Sequence, residues 1–97
     1  MHGLSQQLIG QMVDIAKRFS VQKLILFGSR ARGNFRKTSD IDLAIYGLDR
    51  AREMAFRAEI DDLPTLLKVD IVPICEDTDT VLLGEIERDG VVLWKKE

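Results

Sequence analysis

Four consecutive apolar residues, Leu24-Ile25-Leu26-Phe27, followed at once by Gly28, constrain this chain more than any other feature. A run with no polar alternation has no face to offer water, so it suits a central strand covered on both sides better than an exposed edge. Residues 21–27 are therefore read as a first strand that Gly28 ends. A second strand follows from Asp40, where Ile41, Leu43 and Ile45 alternate with Asp42 and Ala44. Ahead of both, Ser5 is positioned as an N-cap, and Leu8, Ile9, Met12, Val13, Ala16 and Phe19 recur at the spacing of an amphipathic helix. Asp49 caps a second helix running to about residue 63, with Met54, Ala55, Ala58 and Leu63 as its expected core stripe. Residues 68–74 read as a third strand, carrying Val69, Ile71 and Val72. Thr78 or Asp79 opens a third helix that Gly90 can close, and residues 91–94 make a last strand.

The order α, β, β, α, β, α, β predicts an α/β (α+β) fold, a mixed sheet covered by helices. If the end of the first strand (Gly28, Ser29) and the start of the second (Asp40, Asp42) serve one site, the two strands run antiparallel. A helix-bearing connection then returns the chain to a parallel third strand, with Asp70 near its start at the same end of the sheet.

Length and charge narrow the function classes. Ninety-seven residues support one domain, 1–97, with one hydrophobic core. No apolar run approaches the about 20 residues that span a bilayer, and no basic segment precedes an apolar signal core, so a cytoplasmic setting without a membrane is expected. A lone Cys75 excludes an internal disulfide, and with His2 as the only histidine there is no soft-ligand set for zinc. Any metal would be held by oxygen. The formal charge of −2 argues against a general nucleic-acid coat, although Arg30, Arg32, Arg36 and Lys37 fall within eight residues that contain no acid.

Asp40 and Asp42 are one residue apart on an expected strand, which aims both carboxylates the same way. Their repulsion is relieved by a cation, and hard oxygen ligands select magnesium, which binds through one or two carboxylates and substrate phosphates. The plain alternative is a strand start with one capping and one solvated carboxylate. Gly28-Ser29 has a similar pair of readings: an ordinary turn, or a place where glycine admits a phosphate while the serine hydroxyl and the N–H groups of a short helical turn bind its oxygens. Asp70 in Lys-Val-Asp-Ile-Val is either a third acid or a polar position on a solvated strand face.

In combination, Gly28-Ser29, ten intervening residues and Asp40-x-Asp42, with an acid on a later strand, resemble the signature of the polymerase beta-like nucleotidyltransferase superfamily. More narrowly, Gly28-Ser29-Arg30-Ala31-Arg32-Gly33 and Ser39-Asp40-Ile41-Asp42-Leu43-Ala44-Ile45 resemble the minimal nucleotidyltransferase family over nearly the whole chain. The resemblance implies that fold, with Asp40, Asp42 and Asp70 as catalytic and metal-binding carboxylates for two Mg2+ ions. It makes Gly28 and Ser29 triphosphate ligands of ATP, with Arg32 as a candidate for neutralising phosphate charge. It implies transfer of a nucleoside monophosphate, AMP, to a hydroxyl, with a tyrosine of a HEPN-domain toxin as acceptor and a type VII-like antitoxin role. A non-catalytic module that neutralises the HEPN partner by contact is the alternative. Modification of an aminoglycoside-like small molecule is a third reading, in which a homo- or hetero-oligomer completes the pocket. Arg30 shares the phosphate-neutralising reading with Arg32. Arg36 and Lys37 are expected on a solvated surface, Cys75 as a small apolar filler, Trp94 at the end of the sheet, and His2 as a mobile terminal residue.

Overall fold

Ser5 opens the first helix as expected: its side chain accepts a hydrogen bond from the Leu8 N–H at 3.1 Å, and α1 spans Gln6–Arg18 in the computed structural model, which describes residues 2–97. The helix ends with Ser20 at φ 56. The Ser20 N–H donates to Lys17 O and the Val21 N–H to Ala16 O, the paired closing bonds of a left-handed helix terminus. The chain then enters β1 (Lys23–Phe27), passes through a one-turn helix α2 (Ser29–Arg32), and reaches β2 (Ile41–Tyr46). A 3-10 turn (Arg50–Arg52) leads into α3 (Glu53–Asp61), and β3 (Val69–Ile74), α4 (Thr80–Asp89) and β4 (Val91–Lys95) complete the chain. Asp49 and Asp79 both cap, accepting from Ala51 N–H and Val81 N–H. Among the described residues no helix is long and apolar enough to cross a membrane.

The four strands lie in the order β3-β2-β1-β4. β1 is antiparallel to β2 and to β4, while β2 and β3 are parallel, as the expected crossover requires. One face carries Leu24, Leu26, Ile41, Leu43, Ile45 and Ile71 into the main core, where Met12, Ile15, Ala16 and Phe19 from the α1 segment meet Phe56 and Ile60 from α3. Phe19 and Phe56 pack edge to face at 5.3 Å. The opposite face buries Ile25 and Ala44 under Ile86 of α4. β1 and β2 are thus covered on both sides, which is why the first strand tolerates no polar residue between Leu24 and Phe27.

Three expectations change. The core face of α3 is Phe56 and Ile60, with Ala55 and Ala58 exposed and Met54 84% exposed. The bulky series Phe56, Ile60, Leu63 at i, i+4, i+7 sets the helix phase, because burying it removes more apolar area from water than burying two alanines. Cys75 is exposed just past the end of β3, so it fills no core. His2 is half-buried and engaged: its Nδ1 accepts from the Leu4 N–H and its carbonyl accepts from Arg30.

Candidate active site

Gly28 leaves β1 at φ 78 and ψ −156, a conformation L side chains rarely adopt. A Cβ at this position would run into the Asp42 carboxylate, whose Cγ would stand 3.2 Å away. Glycine is therefore needed twice, for its backbone angle and for the room it leaves beside an acid. The chain immediately winds into α2, whose first backbone bond joins Arg32 N–H to Gly28 O at 3.1 Å. No side chain caps this turn, so the N–H groups that open it have no helical acceptor. Gly33, at φ 85, closes it, and the Gly33 and Asn34 N–H groups both donate to Ser29 O. The half-buried Ser29 hydroxyl makes no hydrogen bond among the described residues.

The β1–β2 register pairs Phe27 with Asp42, and the parallel β2–β3 register pairs Asp42 with Asp70. Residues paired across neighbouring strands project to the same face, so Asp42 and Asp70 are neighbours at the sheet end that Gly28 borders. The Ile41 N–H donates to Lys68 O at 2.9 Å and starts this ladder. Asp40, expected on the strand, stands one residue before it and is exposed. Among the described residues no three acid, histidine or cysteine side chains are grouped as a ready metal cage. What the fold itself provides is the register pair Asp42 and Asp70, with the charge of Asp40 within reach of Asp42.

Of the three candidate acids, Asp42 feels the others most clearly. Burial pushes its carboxyl up from the ordinary 3.8, the charges of Asp70 and Asp40 push the same way, and Arg32 and Lys68 only partly oppose them. Lys68 is a residue the sequence reading overlooks: its Nζ lies 3.5 Å from Asp70 Oδ1, so the acids are not without a basic neighbour. The signal was present, because positions 68 and 70 are two apart on the expected strand 68–74, although the observed strand begins one residue later, at Val69. Both side chains are well exposed, and such a pair contributes at most about 1 kcal/mol. Arg32 is exposed at the site, whereas Arg30, its partner in the phosphate reading, is 2% exposed and turned inward. Arg36 and Lys37 are on the surface as expected. A concavity of about 440 Å³ lined by Gln22, Lys23, Tyr46, Lys95, Lys96 and Glu97 lies at the other end of the sheet. Its lining holds a single acid, Glu97, and none of Asp40, Asp42 or Asp70.

This arrangement can hold a hard cation on adjacent carboxylates and a phosphate chain on the turn beside them. The family profile described as "Polymerase beta, Nucleotidyltransferase" matches residues 11–97. The chain belongs to that family. A nucleotidyltransferase-family protein from Sulfolobus solfataricus, provisionally described as such, is 30% identical, with a TM-score of 0.56 over 93% of this chain and 79% of that one. A toxin-antitoxin crystal structure with AMP-PNP is 23% identical, with a TM-score of 0.73 over 92% of this chain and 74% of that one. A complex of a tri-AMPylated Shewanella oneidensis HEPN toxin with an MNT antitoxin is 22% identical, with a TM-score of 0.69 over 96% and 74%. These last two show a shared polymerase beta-like fold. No curated protein sequence matches the chain.

Proposed function

We propose that this nucleotidyltransferase-family chain is an Mg2+-dependent transferase that moves AMP from ATP to a hydroxyl, with a tyrosine of a HEPN-domain toxin as acceptor, in a cytoplasmic antitoxin role. The observation that supports it most is the register pairing of Asp42 with Asp70 beside Gly28, where burial and like charge hold the Asp42 carboxyl above its ordinary value. The donor set fits magnesium: all ligands are carboxylate oxygens, and one or two of them with substrate phosphates suffice for that ion. Asp42 and Asp70 would hold it from the sheet, and Asp40 from the segment just before β2. When bound, two such ions would offset the carboxylate repulsion and polarise the α-phosphate.

The chain's own residues then have distinct tasks. Gly28 leaves space for the phosphate chain, the Ser29 hydroxyl and the opening N–H groups of α2 donate to its oxygens, and Arg32 adds positive charge from the exposed side. The acceptor oxygen bonds to the α-phosphorus while the bond to pyrophosphate breaks, and the hydroxyl proton passes to a carboxylate, for which Asp70 is the assigned acceptor. HEPN partnership is supported by the likeness to antitoxin complexes.

The second reading is neutralisation by contact alone, favoured by the exposure of Met54, Leu66, Val81 and Val92. Asp70→Asn separates the two, because the amide is a poor magnesium ligand and accepts no proton, while a distant contact surface is untouched. With the HEPN partner, ATP and magnesium, intact-mass spectrometry should show AMP additions for the parent and none for Asp70→Asn, which still binds. If the partner's mass never changes and both proteins suppress toxicity equally, transfer is not the function.

A further inference from the structure

Arg30 is the one charged residue in the buried set, 2% exposed, and among the described residues it has no carboxylate partner. A buried guanidinium persists only when its donors are satisfied, and here backbone carbonyls do so. Its Nε donates to Ser39 O at 3.1 Å, Nη1 to His2 O at 3.0 Å, and Nη2 to Lys37 O at 3.2 Å and Arg36 O at 3.5 Å. The plane also lies over Phe35, 5.0 Å from Cζ to the ring centroid. Three of these acceptors, on residues 36, 37 and 39, belong to the segment that delivers Asp40. The Ser39 side chain reinforces it by accepting from the Arg36 N–H at 2.8 Å.

We propose that Arg30 is a positioning residue that fixes Asp40 for metal binding by clamping the 36–39 carbonyls to α2; this rests on the reading of Asp40 as a metal ligand. Asp40 is the only one of the three acids outside a strand, so no sheet register sets its place. The clamp supplies what the register gives Asp42 and Asp70. It also ties the two halves of the site together, since Arg30 directly follows Ser29 on the phosphate-binding turn. The His2 carbonyl brings the N-terminal segment into the same cluster, and Gly3 at φ 74 lies so close that a Cβ there would press on Phe35.

Lysine keeps the charge but not the planar fork, so Arg30→Lys removes the clamp without deleting the cation. Mn2+ titration followed by electron paramagnetic resonance, with amide hydrogen exchange on the same samples, tests the idea in the full chain. Folded Arg30→Lys should bind Mn2+ at least tenfold more weakly and exchange the 39–41 amides at least tenfold faster. Arg36→Ala, which keeps its carbonyl, should leave both within twofold. Should Arg30→Lys not fold, the parent decides: its Arg30 Nε–H should exchange much more slowly than that of exposed Arg36 and should shift on Mn2+-free Mg2+ addition together with the Ile41 amide. A parent that binds no divalent ion removes the metal-site reading and this inference with it. A parent that binds, with Arg30→Lys binding as tightly or with the Arg30 Nε–H exchanging as fast as that of Arg36, overturns the clamp alone.

Discussion

Asp42→Asn should stabilise the metal-free protein at about pH 7 while weakening its hold on a divalent ion. The structure makes the native carboxylate a cost: burial and the charges of Asp70 and Asp40 outweigh the help of Arg32 and Lys68, leaving its pKa raised. Neighbouring strands lie about 4.8 Å apart, so carboxylates paired across them repel by about 0.9 kcal/mol in bulk water and about 3.5 kcal/mol at an effective dielectric of about 20. Asp42 and Asp70 are only partly buried, which places the expected gain near the lower end, on the order of 1 kcal/mol. For a domain of 97 residues that is roughly 4–8 °C in melting temperature. The pH dependence fixes the sign. A raised folded pKa means the native state holds the Asp42 proton more tightly than the unfolded chain, so the parent loses stability as pH rises from the unfolded value through the folded one. The advantage of Asp42→Asn should therefore be full above that window and shrink as pH falls toward about 4. Thermal unfolding in a chelator across pH measures it. An Asp42→Asn protein that melts below the parent at about pH 7, or a difference that does not change with pH, would refute the reasoning.

Magnesium with a non-hydrolysable ATP analogue should raise the parent's melting temperature, by the equivalent of about 2.7 kcal/mol when free ligand exceeds its dissociation constant about a hundredfold; differential scanning fluorimetry that shows no shift at saturation counts against the site. Ser29→Ala should leave the fold intact and weaken binding of the analogue by about 1–3 kcal/mol, the range for losing a hydrogen bond to a charged group, as read by isothermal titration. Phe56→Ala should cost about 3–5 kcal/mol in urea unfolding because the side chain is fully buried against Phe19, whereas Met54→Ala on the opposite face should cost under about 0.5 kcal/mol.

Patterns that depend on burial were legible in the sequence. The uninterrupted apolar run of β1 and the alternation of β2 state how many faces of each strand are covered, and the observed sheet covers both faces of these two strands. The parallel β3 followed from asking where Asp70 must lie to meet Asp42, and the register pairs them directly. The α3 stripe shows the limit of counting apolar positions: Met54, Ala55 and Ala58 satisfy a helical count, but side-chain size decides which face turns inward. Arg30 shows a different limit. Its partners are backbone carbonyls from residues 2, 36, 37 and 39, and no residue type signals where a carbonyl will point. Lys68 was legible by strand spacing alone, because it lies two residues from Asp70.

If Asp40, Asp42 and Asp70 hold metal as proposed, the charge inventory around them favours metal and nucleotide together over either alone. Asp40, Asp42 and Asp70 contribute three negative charges, and Arg32 and Lys68 return two positive ones, so the group carries a formal −1. Two divalent ions alone would leave it at +3, with strong mutual repulsion between the ions. A fully ionised triphosphate, at about −4, would add repulsion to the three acids if it came alone. Taken together, the ions and the nucleotide restore the starting formal charge of about −1, and opposite charges become neighbours throughout. The same argument gives Lys68 a place in the cycle. At 3.5 Å from Asp70 Oδ1 its ammonium offsets acidic charge, and because both side chains are exposed, a bound cation that displaced it would forfeit no more than about 1 kcal/mol. Arg32 is exposed and within electrostatic reach of Asp42 and of Asp89 at the end of α4, so in the proposed reading its charge would be available to a phosphate. The cations near the acids thus stand on exposed positions, whereas the buried cation, Arg30, makes four hydrogen bonds to backbone carbonyls, three of them on the 36–39 segment that leads to Asp40 and one on His2.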